Sequence, residues 1–195
     1  MGKQAVVIKD EVKPWERNVL AVYRRAGSDA IAQGMEWYRK AYELAVELDP
    51  ANPARAAGII AVFSPQKLWS TNMKLARDIY STGIASGHTP ANNAKAQRIF
   101  DGAAPLDVLG GNKVRAFYQG IMNEPAARVC IDRHAFDIAV GRVTDDKTRE
   151  VLGRKGVYDA FTKVYVRAAK RLGITATELQ AATWVQWRIE KGLVG

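Results

Sequence analysis

Cysteine and histidine are scarce in this chain. Its 195 residues include one cysteine, Cys130, and two histidines, His88 and His134. A single cysteine excludes a disulfide within the chain, a four-cysteine iron–sulfur cluster and a cysteine-rich zinc site. With only two histidines, we expect no histidine-based metal site either. The composition therefore predicts a protein without a cofactor.

Long hydrophobic runs are also missing. No apolar stretch approaches the roughly 18 residues of a membrane-spanning helix, and the first residues, MGKQAVVIKDEVKP, lack the apolar centre of a signal peptide. Low-complexity tracts and internal repeats are absent. We expect a cytoplasmic protein with no membrane partner. Residues 1–12 are expected to form a flexible arm ahead of a single domain over residues 13–195.

Positive charge is what the chain has in excess. Lys and Arg number 29 against 20 Asp and Glu, which gives a net charge of +9 and a pI near 9.7. The segment 147–171 alone holds eight Lys or Arg against two acids, a local charge of +6. This balance favours a polyanionic partner, and we expect double-stranded DNA. The alternative is a solvated face that only keeps the protein soluble.

Apolar residues recur at helical spacing along nearly the whole chain. The segment after Asn52 is apolar almost all round, which predicts a helix at the centre of the core. Strand signals are confined to Ala5–Ile8 and Val129–Ile131. We predict an all-α fold of about eight to ten helices. The helix starts are expected at Ser28–Asp29, Asn52–Pro53, Ser64–Pro65, Thr89–Pro90 and a Thr175/Glu178 capping box.

The segment 106–122 predicts a short helix, a tight turn at Gly110 and Gly111, and a second helix that contains Lys113. Such a turn bares backbone N–H groups that suit a phosphate. Lys113 offers a cation or an amine nucleophile. The alternative is an ordinary corner between two helices, in which glycine serves only the backbone conformation.

Asp132 follows Lys113 by nineteen residues and directly precedes another apolar helical pattern. Its position predicts an N-cap, which stabilises a helix by about 1 kcal/mol. A carboxylate at that place also suits the stabilisation of a positive charge that develops in a reaction. The sequence alone leaves both roles open.

Four segments, taken in order, resemble the helix-hairpin-helix DNA glycosylase (HhH-GPD) superfamily, which includes endonuclease III and the adenine glycosylases. The last, with an Asp-x-His-x-Phe helix, is the most specific, whereas the hairpin lacks the family's usual Pro-Gly-Val-Gly. The resemblance implies an all-α, helix-hairpin-helix DNA glycosylase-like helical domain. The segments are AAGIIAVFSPQKLWSTNMKLARDIY (56–80), NNAKAQRIF (92–100), VLGGNKVRAF (108–117) and VCIDRHAFDIAVGR (129–142).

The resemblance implies roles for individual residues. Asp132 matches the catalytic aspartate that stabilises the sugar cation, and Lys113 matches the lysine that some members use as a nucleophile on the sugar. The backbone N–H groups of Gly110, Gly111 and Asn112 would grip a DNA phosphate, often beside a bound monovalent cation.

Further residues are expected to contact DNA. Gln66 matches a position near the extruded base or its orphan partner. Trp69 is a candidate for stacking on that base, and its alternative role is in the core. Phosphate contacts are expected from a residue of the hairpin helix and from a later basic helix. These residues are Arg115, Lys163, Arg167, Lys170 and Arg171.

The run from SPQ through DRHAF to TWVQWR also resembles small proteins encoded by bacteriophages of actinobacteria. Phage relatives of this fold include enzymes of thymine hypermodification. We expect a base-flipping enzyme of the glycosylase type, with lyase activity if Lys113 acts as a nucleophile. A transferase acting on a modified thymine, a catalytically silent DNA-binding protein and a structural protein stay open as alternatives, because a fold does not decide a function.

Overall fold

The computed structural model describes residues 8–123 and 128–193, and within them the protein is all-α, as predicted. Eleven α-helices and two 3-10 turns, at Asp10–Val12 and Glu150–Gly153, make up its secondary structure there. The helices are α1 (Glu16–Arg25), α2 (Ser28–Leu48), α3 (Pro53–Phe63), α4 (Trp69–Thr82), α5 (Pro90–Phe100), α6 (Pro105–Val108), α7 (Asn112–Ile121), α8 (Arg133–Val140), α9 (Asp146–Arg149), α10 (Val157–Leu172) and α11 (Ala176–Glu190).

The chain divides into two compact units. The central unit is Tyr38–Arg128, and the terminal unit combines Met1–Trp37 with Val129–Gly195. Of the predicted N-terminal arm, residues 1–7 lie outside the described residues. Its last three residues form the first 3-10 turn, with the Val12 side chain buried in the core of the terminal unit.

Helix α3 forms the core of the central unit, as its all-round apolar sequence predicted. All residues from Ala56 to Phe63 are buried, and α3 packs against α4, α5, α6 and α7. Gly58 permits the approach of α6, because a Cβ at that position would lie only 2.8 Å from the Pro105 Cβ. The hairpin that begins with α6 is thereby packed against the buried central helix of the unit.

The terminal unit packs α1, α8, α10 and α11 together. Phe136 of α8 stacks on Phe161 of α10, with ring centroids 4.7 Å apart. The end of α8 is tied to α1, because the Trp15 backbone N–H and the Asn18 side-chain amide both donate to the Ala139 carbonyl, at 2.8 and 3.0 Å. These bonds satisfy a carbonyl that the helix end would otherwise leave unpaired.

Most of the predicted helix starts are confirmed. Helix α2 begins at Ser28. The Asn52 side chain accepts from the Arg55 N–H at 3.1 Å, and the Thr89 side chain caps α5. Thr175 and Glu178 form the complete capping box of α11.

The helix start predicted at Ser64–Pro65 is wrong. Ser64 lies at the end of α3, where its hydroxyl donates to the Ala61 carbonyl at 2.9 Å. Gln66 then adopts a left-handed conformation with φ of 57°, which a right-handed helix does not accept. Helix α4 therefore begins only at Trp69, after Leu68.

The strand predicted at Val129–Ile131 is also wrong, since this segment has no strand assignment although it is buried. The Tyr158 hydroxyl takes the place of a neighbouring strand. It accepts from the Ile131 N–H and donates to the Val129 carbonyl, both at 2.9 Å. One side chain thus satisfies the buried backbone groups that a β-ladder would otherwise pair. Of the other predicted strand, Ala5–Ile8, all but the last residue lies outside the described residues.

Candidate functional site

The predicted hairpin is present in the central unit as α6, a Gly110–Gly111 turn and α7. Gly111 has a φ of 73° and immediately precedes the first turn of α7. No side chain among the described residues caps this helix end. The N-terminus of α7 therefore presents partial positive charge from its backbone N–H groups, which suits an anion.

Arg115 braces this hairpin. Its Nε donates to the Leu109 carbonyl at 2.8 Å and its Nη2 to the Leu106 carbonyl at 2.7 Å. The sequence predicted a phosphate contact for Arg115 but not this bracing role. The guanidinium also repels a second cation from these two oxygens.

Three cations surround the turn. Lys113 is the second residue of α7. The Lys95 Nζ lies 3.8 Å from the position that a Cβ of Gly110 would occupy. Arg128 donates from Nη1 to the Asn112 Oδ1 at 3.0 Å. Lys95 and Arg128 could not be predicted at this turn from the sequence, because they come from segments on either side of the hairpin.

Gln66 and Trp69 lie in the same unit, at the junction of α3 and α4. Gln66 is exposed on the loop, and Trp69 is the first residue of α4 and is half-buried. Leu68 between them is 63% exposed. The Trp69 ring therefore packs against the unit on one part of its surface and leaves another part open.

Asp132 lies in the terminal unit, where it caps α8 as predicted. Its Oδ1 accepts from the Ala135 N–H at 2.8 Å. Its Oδ2 accepts from the Trp184 indole Nε1–H at 3.0 Å. The carboxylate is half-exposed and makes no ion pair with any residue that the structure describes. Two donors therefore fix its orientation, and it forms no ion pair with a described residue.

Aromatic rings form one side of this carboxylate site. The Trp184 ring meets the His134 and Trp37 rings edge to face, with centroids 6.2 and 6.1 Å apart. The Arg188 guanidinium lies 4.4 Å from the centroid of the same indole. Sequence reasoning missed Trp184 as a neighbour of Asp132, since Trp184 is 52 residues away along the chain.

His134 is the titratable neighbour of Asp132. Burial lowers the pKa of its imidazole below the ordinary value, and the Asp132 carboxylate opposes that shift. The Arg133 Nε–H donates to the His134 Nε2 at 3.3 Å, so that nitrogen is an acceptor and the ring proton resides on Nδ1. The His134 ring is therefore a neutral group packed on Trp184.

Helix α10 carries the predicted basic residues, and all four are exposed. Two of them converge on Glu16, the first residue of α1. The Arg167 Nε lies 3.3 Å from Glu16 Oε2, and the Arg171 Nε lies 2.6 Å from Glu16 Oε1. One carboxylate thus offsets part of the charge that the sequence predicted for this helix. Lys163 and Lys170 make no ion pair with a described residue.

The structure places the two predicted catalytic residues in different units, Lys113 in the central unit and Asp132 in the terminal unit. Within the described part of the chain, no group of three or more His, Cys, Asp or Glu residues is arranged to hold a metal ion. None of the described helices combines the length and apolar character needed to cross a lipid bilayer.

A family model described as a family of unknown function, DUF7178, matches residues 3–191. The chain belongs to this family. No curated protein and no solved structure matches it. In this member of DUF7178, the hairpin, the Asp132 carboxylate and the basic helix α10 are the features that bear on function.

Proposed function

We propose that this chain is a DNA-binding, base-flipping enzyme of the DNA glycosylase type in which Asp132 supplies the catalytic carboxylate. The observation that carries the proposal is the state of this side chain. It is oriented by the Ala135 N–H and the Trp184 indole, it is half-exposed, and no described cation neutralises it.

The chemistry follows from that charge. In glycosidic cleavage, the bond between the sugar C1′ and the base nitrogen breaks and its electron pair leaves with the base. Positive charge then develops on the sugar, and a carboxylate fixed beforehand stabilises this charge without reorganising. Water attacks C1′, so that the sugar gains a hydroxyl group and the base gains a proton. The hydrogen bonds from the Ala135 N–H and the Trp184 indole fix the Asp132 carboxylate in this way.

The hairpin supplies the sequence-independent part of the binding. The uncapped N-terminus of α7 and the nearby Lys95, Lys113 and Arg128 present positive charge at one turn of the central unit. A DNA phosphate matches this arrangement in charge and in its need for N–H donors. Helix α10 adds further cations in the terminal unit.

The first test measures the products formed on DNA. Duplexes with ordinary and with hydroxymethyl-type bases are incubated with the wild type and with Asp132→Asn, and nucleosides and free bases are analysed by mass spectrometry. We expect free base and abasic sites with the wild type and a loss of at least about 100-fold with Asp132→Asn. Asparagine caps a helix as well as aspartate does, so the fold is preserved.

Asp145→Asn is the matched control. Asp145 caps α9 through its Oδ1, which accepts from the Thr148 N–H at 2.7 Å, and its replacement makes the same chemical change at a different helix start. We expect it to retain activity. A mass change on an intact nucleoside would replace our proposal by a base transferase. No change on any DNA, with binding retained, would replace it by a silent DNA-binding protein.

A second test addresses Lys113. If its amine attacks the sugar, borohydride reduces the resulting Schiff base and traps a covalent complex with DNA. The complex should form with the wild type and be absent with Lys113→Gln. Base release without any trapped complex would assign a monofunctional glycosylase.

A third test concerns the hairpin as a phosphate site. The double variant Lys95→Gln/Lys113→Gln should weaken duplex binding equally for all sequences. It should also reduce the slope of log K against log salt by about two, since each phosphate contact contributes about 0.9. The control is Lys74→Gln/Arg77→Gln, which removes two cations that pair with Asp78 and Glu47 in the same unit. Equal slopes for the two double variants would contradict the proposed site.

A further inference from the structure

Two shallow grooves lie on the terminal unit, where α10 packs beside α1 and the segment before it. Lys13, Lys163 and Arg167 line one groove together with apolar residues. Arg17, Arg24 and Arg171 line the other, together with Trp15 and Glu16. The grooves adjoin at Glu16, which pairs with Arg167 of the first and Arg171 of the second. We call these six cations, with Trp15 and Glu16, the basic surface.

The charge of the basic surface is mostly uncompensated. Six cations face one lining carboxylate. Arg24 and Lys163 make no ion pair with a described residue. Lys13 lies 3.9 Å from Asp10, whose side chain is 94% exposed, and a pair so exposed is weak. Such a surface attracts a polyanion.

Trp15 distinguishes the basic surface from a merely charged face. Its side chain is 37% exposed, while its backbone N–H is fixed by the Ala139 carbonyl. The Lys13 Nζ and the Arg17 Cζ lie 4.6 and 4.9 Å from its ring centroid. Both cations lie over the face of the indole. A nucleic-acid base that stacks on the ring displaces one of these flexible side chains, and the cations then contact the adjoining phosphates.

The stacking requirement selects the kind of nucleic acid. In a duplex both faces of each base are covered by its neighbours, whereas an unpaired base has a free face for the indole. Lys163, Arg167 and Arg171 recur every fourth residue along one side of α10, over about 12 Å, and so offer a line of charge to a phosphate backbone. We propose that the basic surface binds single-stranded nucleic acid, with an unpaired base stacked on Trp15.

This proposal goes beyond the proposed function. It shares the cations of α10 with that function but uses neither the hairpin nor the carboxylate of Asp132. Glu16 has a defined part in it. By pairing with Arg167 and Arg171, this carboxylate withholds about one unit of positive charge from the strand. The basic surface therefore binds less tightly than its six cations would permit, and removal of the Glu16 charge strengthens it.

The test compares affinities for single strands and duplexes by fluorescence anisotropy. We expect Trp15→Leu to bind a fluorescent oligothymidylate about tenfold more weakly than the wild type, because it loses one stacked base. Trp15→Phe should recover most of this loss. Duplex affinity should stay within about twofold of the wild type in both variants. Tyr42→Leu, which removes an aromatic side chain of similar exposure, 39%, from the central unit, is the control.

Glu16→Gln is expected to increase the affinity for single strands. The loss of a purely structural residue would not increase it. We expect tighter binding of the single strand and a salt slope steeper by about 0.7, the contribution of one phosphate contact on a single strand. The wild-type affinities for oligothymidylate DNA and oligouridylate RNA of equal length are compared, and the tighter of the two identifies the strand as DNA or RNA.

Two results would overturn the proposal. In the first, Trp15→Leu binds both oligonucleotides as tightly as the wild type does. In the second, Trp15→Leu loses equal affinity for single strands and for duplexes. Unchanged or weaker binding in Glu16→Gln would contradict the restraining part assigned to that carboxylate. The effect of Trp15→Leu is measured as single-strand affinity and the effect of Asp132→Asn as base release, so failure of the proposed function is recognised separately.

Discussion

Helix α8 has an aspartate near each end, and the two differ in every contact they make. Asp137, in the last turn, is 2% exposed. It accepts from the Thr144 N–H at 3.2 Å and from the Thr144 hydroxyl at 2.5 Å, and its Oδ2 lies 3.0 Å from the Arg149 Nη2. Asp132, at the first turn, is half-exposed, and among the described residues it is bonded only to the Ala135 N–H and the Trp184 indole.

Burial explains the difference. A carboxylate taken out of water needs a cation and hydrogen bonds to offset its desolvation, and Asp137 obtains them from Arg149 and Thr144. The Asp137 carboxylate thereby attaches Thr144 and Arg149, which follow α8 in the chain, to this helix. Asp132 keeps access to water and needs no cation, so its charge remains available to a ligand. Of the two carboxylates, only that of Asp132 suits a reacting group.

The largest expected effect is on stability, at the buried end. Asp137→Asn should lower the free energy of unfolding by about 3 kcal/mol, because Arg149 loses its buried partner and keeps only the exposed Asp146. Denaturant titration measures this effect. The double variant Asp137→Asn/Arg149→Met should be more stable than the sum of the two single variants predicts. Additive losses would show that the ion pair does not couple the two residues.

A smaller effect is expected at the exposed end. Asp132→Ala should lower the free energy of unfolding by about 1 kcal/mol through loss of the cap, and Asp132→Asn by clearly less. Both should abolish base release if the proposed function is right. The same titration, paired with the activity assay, separates capping from catalysis. An Asn variant as unstable as the Ala variant would show that the carboxylate charge itself, through Trp184 or the helix dipole, stabilises the fold.

The smallest expected effect is a pH dependence at the Asp132 end. The pKa of His134 is lowered by burial, so below its ordinary pKa of about 6.5 the unfolded chain binds a proton that the folded chain resists. Stability should therefore fall as the pH decreases from 7 to 5. Thermal unfolding across this range should show the decrease, and His134→Gln should reduce it. An unchanged slope in the variant would assign the pH dependence to other groups.

Helix starts could be predicted where the capping contact is local. Asn52, Thr89, Asp132 and Thr175 each accept from an N–H only three residues ahead, so a short stretch of sequence contains the whole interaction. Ser64 carries the same kind of signal but lies at the end of α3 and starts no helix, because the chain turns at Gln66 before a helix can begin.

The candidate sites were only partly predictable. The glycine turn and the cap position of Asp132 follow from local sequence. Contacts between distant segments do not, as the pairing of Trp184 with Asp132 and of Glu16 with Arg167 shows. Glu16 and Arg167 are 151 residues apart, and no periodicity connects them.

The sequence by itself determined the all-α class, most of the helix starts and the excess of positive charge, because these depend on composition and on contacts within a few residues. Only the tertiary structure decided which charges are compensated. It buries Asp137 against Arg149, leaves Asp132 with two neutral donors, and brings Glu16 to Arg167 and Arg171. The cost of burying a charge depends on the partners that the fold brings to it from elsewhere in the chain.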